Sequence, residues 1–107
     1  MAEMMRAVVK TRRGAGAELK KIAVPKIQAD EVLVQVKATT ICGTDVHIYQ
    51  WNEWAEGRIR NIPQVLGHEL AGEIVEVGST VTTAKPGDYI SCETHIPCNH
   101  CVQCMTG

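Results

Sequence analysis

A mainly β fold, a small irregular barrel of short strands with one or two short helices, is what this sequence predicts. No stretch sustains a 3.6-residue apolar period long enough for a major helix. Short runs rich in Val, Ile and Thr recur between turns that carry Gly or Pro. The aromatics are two Trp and two Tyr with no Phe, so aliphatic side chains must fill the core. At 107 residues the chain is near the modal size of one domain and can bury something over half of its unfolded surface around one core.

Taken in order, residues 5–10 (Met-Arg-Ala-Val-Val-Lys) read as a first strand, and residues 19–24 as its hairpin partner, closed by Pro25. The intervening Gly14-Ala15-Gly16-Ala17-Glu18-Leu19 opens like a dinucleotide fingerprint. It fails as one, because Leu19 stands at the third glycine position and no helical pattern follows, so it reads as a hairpin turn. Residues 31–39 alternate, with Val32, Val34, Val36 and Ala38 on one face of a half-buried strand and Glu31, Gln35 and Lys37 on the other. Residues 44–50 favour a short helix capped by Thr44 or Asp45. Residues 70–77 are β-branched and contain glycine, and Glu73 and Glu76 break strict alternation, which predicts a bulged or strongly curved strand. Lys85-Pro86-Gly87-Asp88 is a turn, and residues 89–93 resume a strand in which Cys92 is expected to be buried.

Charge narrows the function. With 12 acidic and 11 basic residues the net charge is -1, which leaves no electrostatic footprint for nucleic acid or an anionic membrane. A small neutral or zwitterionic substrate fits better. The start, Met1-Ala2-Glu3-Met4-Met5-Arg6, has an acidic residue and lacks the apolar stretch of a secretory signal, and nothing is long and apolar enough to span a membrane. Five cysteines is an odd number, and three of them fall within seven residues. Metal-bound thiolates in the cytoplasm explain this better than disulfides.

The candidate ligands form two sets. Cys42, His68 and Glu69 offer a thiolate, an imidazole and a carboxylate, the mixed donors of a catalytic zinc with an open position. Neighbouring side chains in an extended chain point to opposite faces, so His68 and Glu69 can share a metal only if the backbone turns there, which Gly67 permits. Singly, Cys42 also reads as a small buried hydrophobe and His68 as a satisfied core histidine. Cys98, Cys101 and Cys104 suit a structural zinc or the opening of an iron-sulfur run, and His95 or His100 can stand in for a missing fourth ligand.

The combination Gly67-His68-Glu69-x-x-Gly72-x-x-x-x-x-Gly78-x-x-Val81 resembles the zinc signature of the medium-chain, zinc-dependent alcohol dehydrogenases, and Cys42-Gly43-Thr44-Asp45 and Pro86-Gly87-Asp88 fall where that family has them. The aromatic and acidic continuation, Thr44 through Trp54, is most similar to the branch that oxidises L-threonine at its β-hydroxyl. The resemblance covers essentially the whole chain. It implies a GroES-like, partly open barrel over residues 1–107, with a structural-zinc lobe beginning near residue 92 and cut short before a fourth cysteine. A following Rossmann domain that holds NAD is missing from this chain, which is therefore expected not to turn over alone. The full-length protein is expected to be a cytoplasmic homo-oligomer, a tetramer.

The same resemblance implies roles. Cys42, His68 and Glu69 hold the catalytic zinc, Cys98, Cys101 and Cys104 hold the structural one, and Thr44 and His47 relay the hydroxyl proton. Asp45 orients His68, a role that metal-bound imidazoles require in general. Apart from the resemblance, His95 sits beside the metal-rich segment and reads as a substrate-pocket residue, since loop residues carry function often, or as a solvated loop histidine. Trp51 and Trp54 either line that pocket or anchor a loop. The expected reaction converts L-threonine to 2-amino-3-oxobutanoate with hydride transfer to NAD. The alternatives are a polyol or other secondary-alcohol dehydrogenase and a non-catalytic zinc-binding module.

Overall fold

The computed structural model describes residues 3–92 and 96–106, so His95 lies outside the described residues. Nine elements follow one another: β1 Met4–Lys10, β2 Glu18–Ala23, β3 Val32–Thr40, α1 Gly43–Gln50, α2 Glu53–Arg58, β4 Gln64–Val65, β5 Glu69–Val77, β6 Tyr89–Ser91 and α3 Val102–Thr106. The strands form two three-stranded antiparallel sheets, ordered β2-β1-β4 and β3-β5-β6. Among the described residues the sheets do not close into a complete barrel, in keeping with the partly open form expected.

The hairpin forms as the sequence predicts, in the register Met4↔Ala23 to Val9↔Glu18. Pro86 and Gly87 make the turn into β6, closed by Asp88 N–H donating to the Lys85 carbonyl at 3.2 Å. β5 is bulged against β3, with register breaks at Leu33/Val34 and Val36/Ala38. Gly72 explains how the two strands come so close there: a Cβ at this position would collide with the Gln35 carbonyl oxygen and press on Val34 Cγ1 at 2.9 Å.

Three expectations need correction. Val32 and Val34 are half-buried, but Val36 is 53% exposed and Ala38 is exposed too, because a bulge at Lys37 breaks the alternation of β3 and no described element packs over that end of it. The N-cap of α1 is Cys42, not Thr44 or Asp45. Asp45 sits three positions into the turn and its Oδ2 reaches back to accept the Cys42 N–H at 3.0 Å. Cys92 lies just past the end of β6 and is exposed, not buried. Sequence reasoning also missed α2, β4 and α3, each six residues or fewer and too short to show a period.

The core described is small: Ala7, Val9, Ile48, Ala55 and Ile74 are its buried apolar members. The chain exposes 8366 Å² of surface, where a compact protein of its mass would expose about 5900 Å². Its radius of gyration, 15.8 Å, likewise exceeds the roughly 13 Å of a compact domain of this length.

One buried group is a cation. Lys10, at the end of β1, is 0% exposed, and its Nζ donates to the Gly16 carbonyl at 2.6 Å and the Tyr49 carbonyl at 3.1 Å. The rings of Tyr49 and Trp51 flank it, with centroids 6.0 and 5.3 Å away. Burial, with Arg12 nearby, pulls its pKa below the usual lysine value. Lys10 thereby ties the first sheet, the hairpin loop and the C-terminal turn of α1 together, at the helix end where a positive charge is favoured. Lys10→Met is expected to lower stability by about 3 kcal/mol, since it deletes two charge-assisted bonds. Urea denaturation measures it, and an unchanged midpoint would remove Lys10 from the list of anchors.

Candidate metal centre

Three elements deliver the first ligand set. Cys42 stands where β3 gives way to α1, and His68 and Glu69 stand at the start of β5, whose Glu69 pairs with Thr40 across the sheet. Gly67 takes φ 101°, a left-handed conformation that lets consecutive side chains turn toward one point. Donor atoms of Cys42, His68 and Glu69 lie within 4.8 Å of one another, all three residues half-buried. A mixed sulfur, nitrogen and oxygen triplet of this kind suits zinc with a coordination position left over.

Electrostatics shape the same point. The Thr44 backbone N–H, then the His68 ring and the Thr44 hydroxyl, hold the Cys42 thiol below its ordinary pKa, toward the thiolate that a metal requires. His68 is raised, first by its bond to Cys42 and then by the charge of Asp45. Asp45 divides its carboxylate between two tasks. Oδ2 accepts the Cys42 N–H, while Oδ1 is buried without a hydrogen-bond partner and lies 3.5 Å from His68 Nδ1. An orphaned acceptor aimed at Nδ1 calls for a proton there, which leaves Nε2 of His68 as the free donor for a metal. The donor set and this orphan both fit a bound cation.

Other side chains bear on the site. Thr40 Oγ1 donates to Glu69 Oε1 at 2.9 Å, and Thr39 Oγ1 to the Glu69 carbonyl at 2.7 Å, so β3 steadies the carboxylate. A cleft of about 450 Å³ opens beside Thr40 and Glu69 and runs between Ala38, Leu70, Ser91 and Cys92, a size in the range of small-molecule sites. Thr44 and His47 lie on α1, one turn apart. Trp51, the C-cap of α1, faces Lys10 and Arg13, and its indole N–H donates to Glu56, which also pairs with Arg13 at 2.7 Å. Trp54 packs 5.7 Å from the His47 ring.

Sequence reasoning overlooked Thr40 and Asn52. Asn52 caps α2 through its Oδ1, which accepts the Ala55 N–H at 3.1 Å, and its Nδ2 donates to His47 Nδ1 at 2.6 Å. The available signal was an asparagine directly before an acidic first helical turn.

The second ligand set is also assembled. The sulfurs of Cys98, Cys101 and Cys104 lie within 4.8 Å of one another, with Cys98 and Cys104 3.7 Å apart. The His100 backbone N–H, then the Cys101 side chain, lower the Cys98 pKa to about 7. In protein stripped of metal, iodoacetamide should label Cys98 at a rate that is half its plateau near pH 7, and zinc should protect it. Peptide mapping reads this, and labelling that rises only above pH 8.5 would contradict it.

A family model described as the alcohol dehydrogenase GroES-like domain matches residues 28–107. The chain belongs to the alcohol dehydrogenase GroES-like family. This GroES-like domain is 55% identical over 107 residues to the L-threonine 3-dehydrogenase of Pyrococcus horikoshii, covering 100% of the chain and 30% of the relative. It is 58% identical over 104 residues to that of Thermococcus kodakarensis, covering 97% of the chain and 29% of the relative. It thus spans about a third of the length of these relatives. Among solved structures, it resembles a cobalt- and zinc-bound thermostable alcohol dehydrogenase from Pyrobaculum aerophilum, with TM-score 0.83 and 28% identity over 98% of this chain and 31% of that one. The alcohol dehydrogenase TADH from Thermus sp. ATN1 gives TM-score 0.76 and 35% identity over 94% of this chain and 28% of that one. Among the described residues, no helix of the GroES-like domain is long and apolar enough to cross a membrane.

Proposed function

We propose that residues 1–107 are the catalytic-domain portion of a zinc- and NAD-dependent L-threonine 3-dehydrogenase, which oxidises the β-hydroxyl of L-threonine to give 2-amino-3-oxobutanoate. The observation that carries this reading is the convergence of Cys42, His68 and Glu69 with Asp45 Oδ1 orphaned behind the imidazole. The choice of threonine among alcohols is supported by the relatives above, which share more than half of the residues across the chain.

Zinc at this centre supplies a Lewis acid for the alcohol oxygen, and NAD, held by a further domain in the remaining length of such proteins, supplies the hydride acceptor. The chain's own residues do the rest. Cys42, His68 and Glu69 hold the metal, and Asp45 fixes the His68 ring so that Nε2 faces it. Thr40 holds one oxygen of Glu69, which leaves the other free to bind or withdraw. Thr44 takes the hydroxyl proton and His47 passes it outward as a general base. Cys98, Cys101 and Cys104 hold a structural zinc in a lobe that begins near residue 92, with a fourth ligand from elsewhere in the protein. His95 is assigned to the substrate pocket, whereas Trp51, held by Lys10, Arg13 and Glu56, fits the other expectation and anchors the loop after α1. The assembled protein is a cytoplasmic homo-oligomer, a tetramer.

The test is NAD reduction by the complete enzyme with L-threonine, sorbitol and butanediol side by side. Threonine should give the highest kcat/KM, and a chelator should abolish it. Preference for sorbitol would assign the domain to a polyol dehydrogenase instead.

A further inference from the structure

We propose that Asn52 is a positioning residue that fixes the tautomer of His47, keeping the proton of the neutral ring on Nε2 and its lone pair on Nδ1, behind the Asn52 amide. The inference deepens the relay reading above and rests on it.

The geometry leaves one solution. Asn52 Oδ1 accepts the Ala55 N–H at 3.1 Å as the N-cap of α2. Flipping the amide would set its NH2 against that N–H, donor against donor, so the cap determines which way the amide points. Its Nδ2 therefore faces His47 Nδ1, 2.6 Å away. Nδ2 can only donate, so Nδ1 must accept, and the ring proton must sit on Nε2. The backbone enforces the approach. Trp51 adopts a left-handed conformation (φ 56°, ψ 53°) at the end of α1, and Asn52 N–H then donates to the His47 carbonyl at 3.4 Å. Trp54, on the helix that Asn52 caps, stands beside the same ring at 5.7 Å with a 44° tilt.

One amide thus starts α2 and sets the chemistry of His47. The single basic nitrogen of the neutral ring is the one that Asn52 covers. A proton handed to His47 enters at Nδ1 as the Asn52 bond opens, giving an imidazolium that releases its Nε2 proton to solvent, and solvent exchange then returns the remaining proton from Nδ1 to Nε2, the tautomer that Asn52 favours. Asn52 touches neither substrate nor metal and acts only through His47.

The experiment uses the complete enzyme. Solid-state nitrogen NMR of protein labelled with 15N-histidine, with His47 assigned by difference against His47→Gln, should show the neutral ring protonated on Nε2. Asn52→Asp keeps a good helix cap but presents an acceptor, and should move that proton to Nδ1. With it, kcat should fall about tenfold or more while KM for threonine stays within about twofold, since a misplaced acid-base group forfeits part of its effect. Asn52→Ser keeps a cap but is too short to reach the ring, and should admit both tautomers. A wild-type ring protonated on Nδ1, or the same tautomer in the wild type and Asn52→Asp, would overturn the proposal. An unchanged kcat in His47→Gln would overturn the relay reading alone, because the ring spectra report the tautomer with or without turnover.

Discussion

Cys42→Ala in the complete enzyme should lower turnover by about a thousandfold or more, the equivalent of roughly 4 kcal/mol of lost transition-state stabilisation. Among the described residues, Cys42 is the sulfur whose donor atom lies within 4.8 Å of those of His68 and Glu69, and an imidazole with a carboxylate alone holds zinc weakly. Several of its contacts are main-chain ones: its N–H reaches Asp45 Oδ2 at 3.0 Å, and its carbonyl accepts from Asp45 N–H at 3.0 Å. Alanine keeps these, so the loss should fall on metal binding more than on folding. Elemental analysis should find about one zinc fewer per chain, with the metal at Cys98, Cys101 and Cys104 retained. Wild-type turnover in a Cys42→Ala protein would sink the assignment of the catalytic centre.

Asp45→Asn is isosteric and should nonetheless weaken metal binding at the first centre by about 10- to 100-fold. The Cys42 N–H requires an oxygen, so the new amide must turn its NH2 toward His68 Nδ1, now 3.5 Å from a carboxylate oxygen. That reverses the demand on the ring. Nδ1 becomes the acceptor, the proton moves to Nε2, and the nitrogen meant for the metal carries a hydrogen. Competition with a chromogenic chelator measures the change, and an unaltered zinc affinity would show that Asp45 does no more than bond the Cys42 N–H at the start of α1.

The elements with a strong local signal were legible in the sequence. β1 and β2 follow from two apolar runs around a glycine-bearing turn, and β5 from a β-branched run whose glycine hinted at the bulge. The chemistry-bearing residues were legible by type, and the fold brings Cys42, His68 and Glu69 together from positions up to 27 residues apart. What escaped was set by tertiary contacts. Alternation on β3 predicts burial for Val36 and Ala38, but nothing described covers them, and pattern alone cannot report a missing neighbour. The capping of α1 by Cys42 runs against ordinary preference, because cysteine is not a favoured cap. Asn52 and Thr40 gained their meaning only once a histidine and a carboxylate lay within reach.

Cys42 is at once the residue on which α1 begins and the sulfur of the candidate centre. A cation bound there would share its anchor with the helix that carries Thr44 and His47, so the proposed metal position and the proposed proton path are tied to one residue.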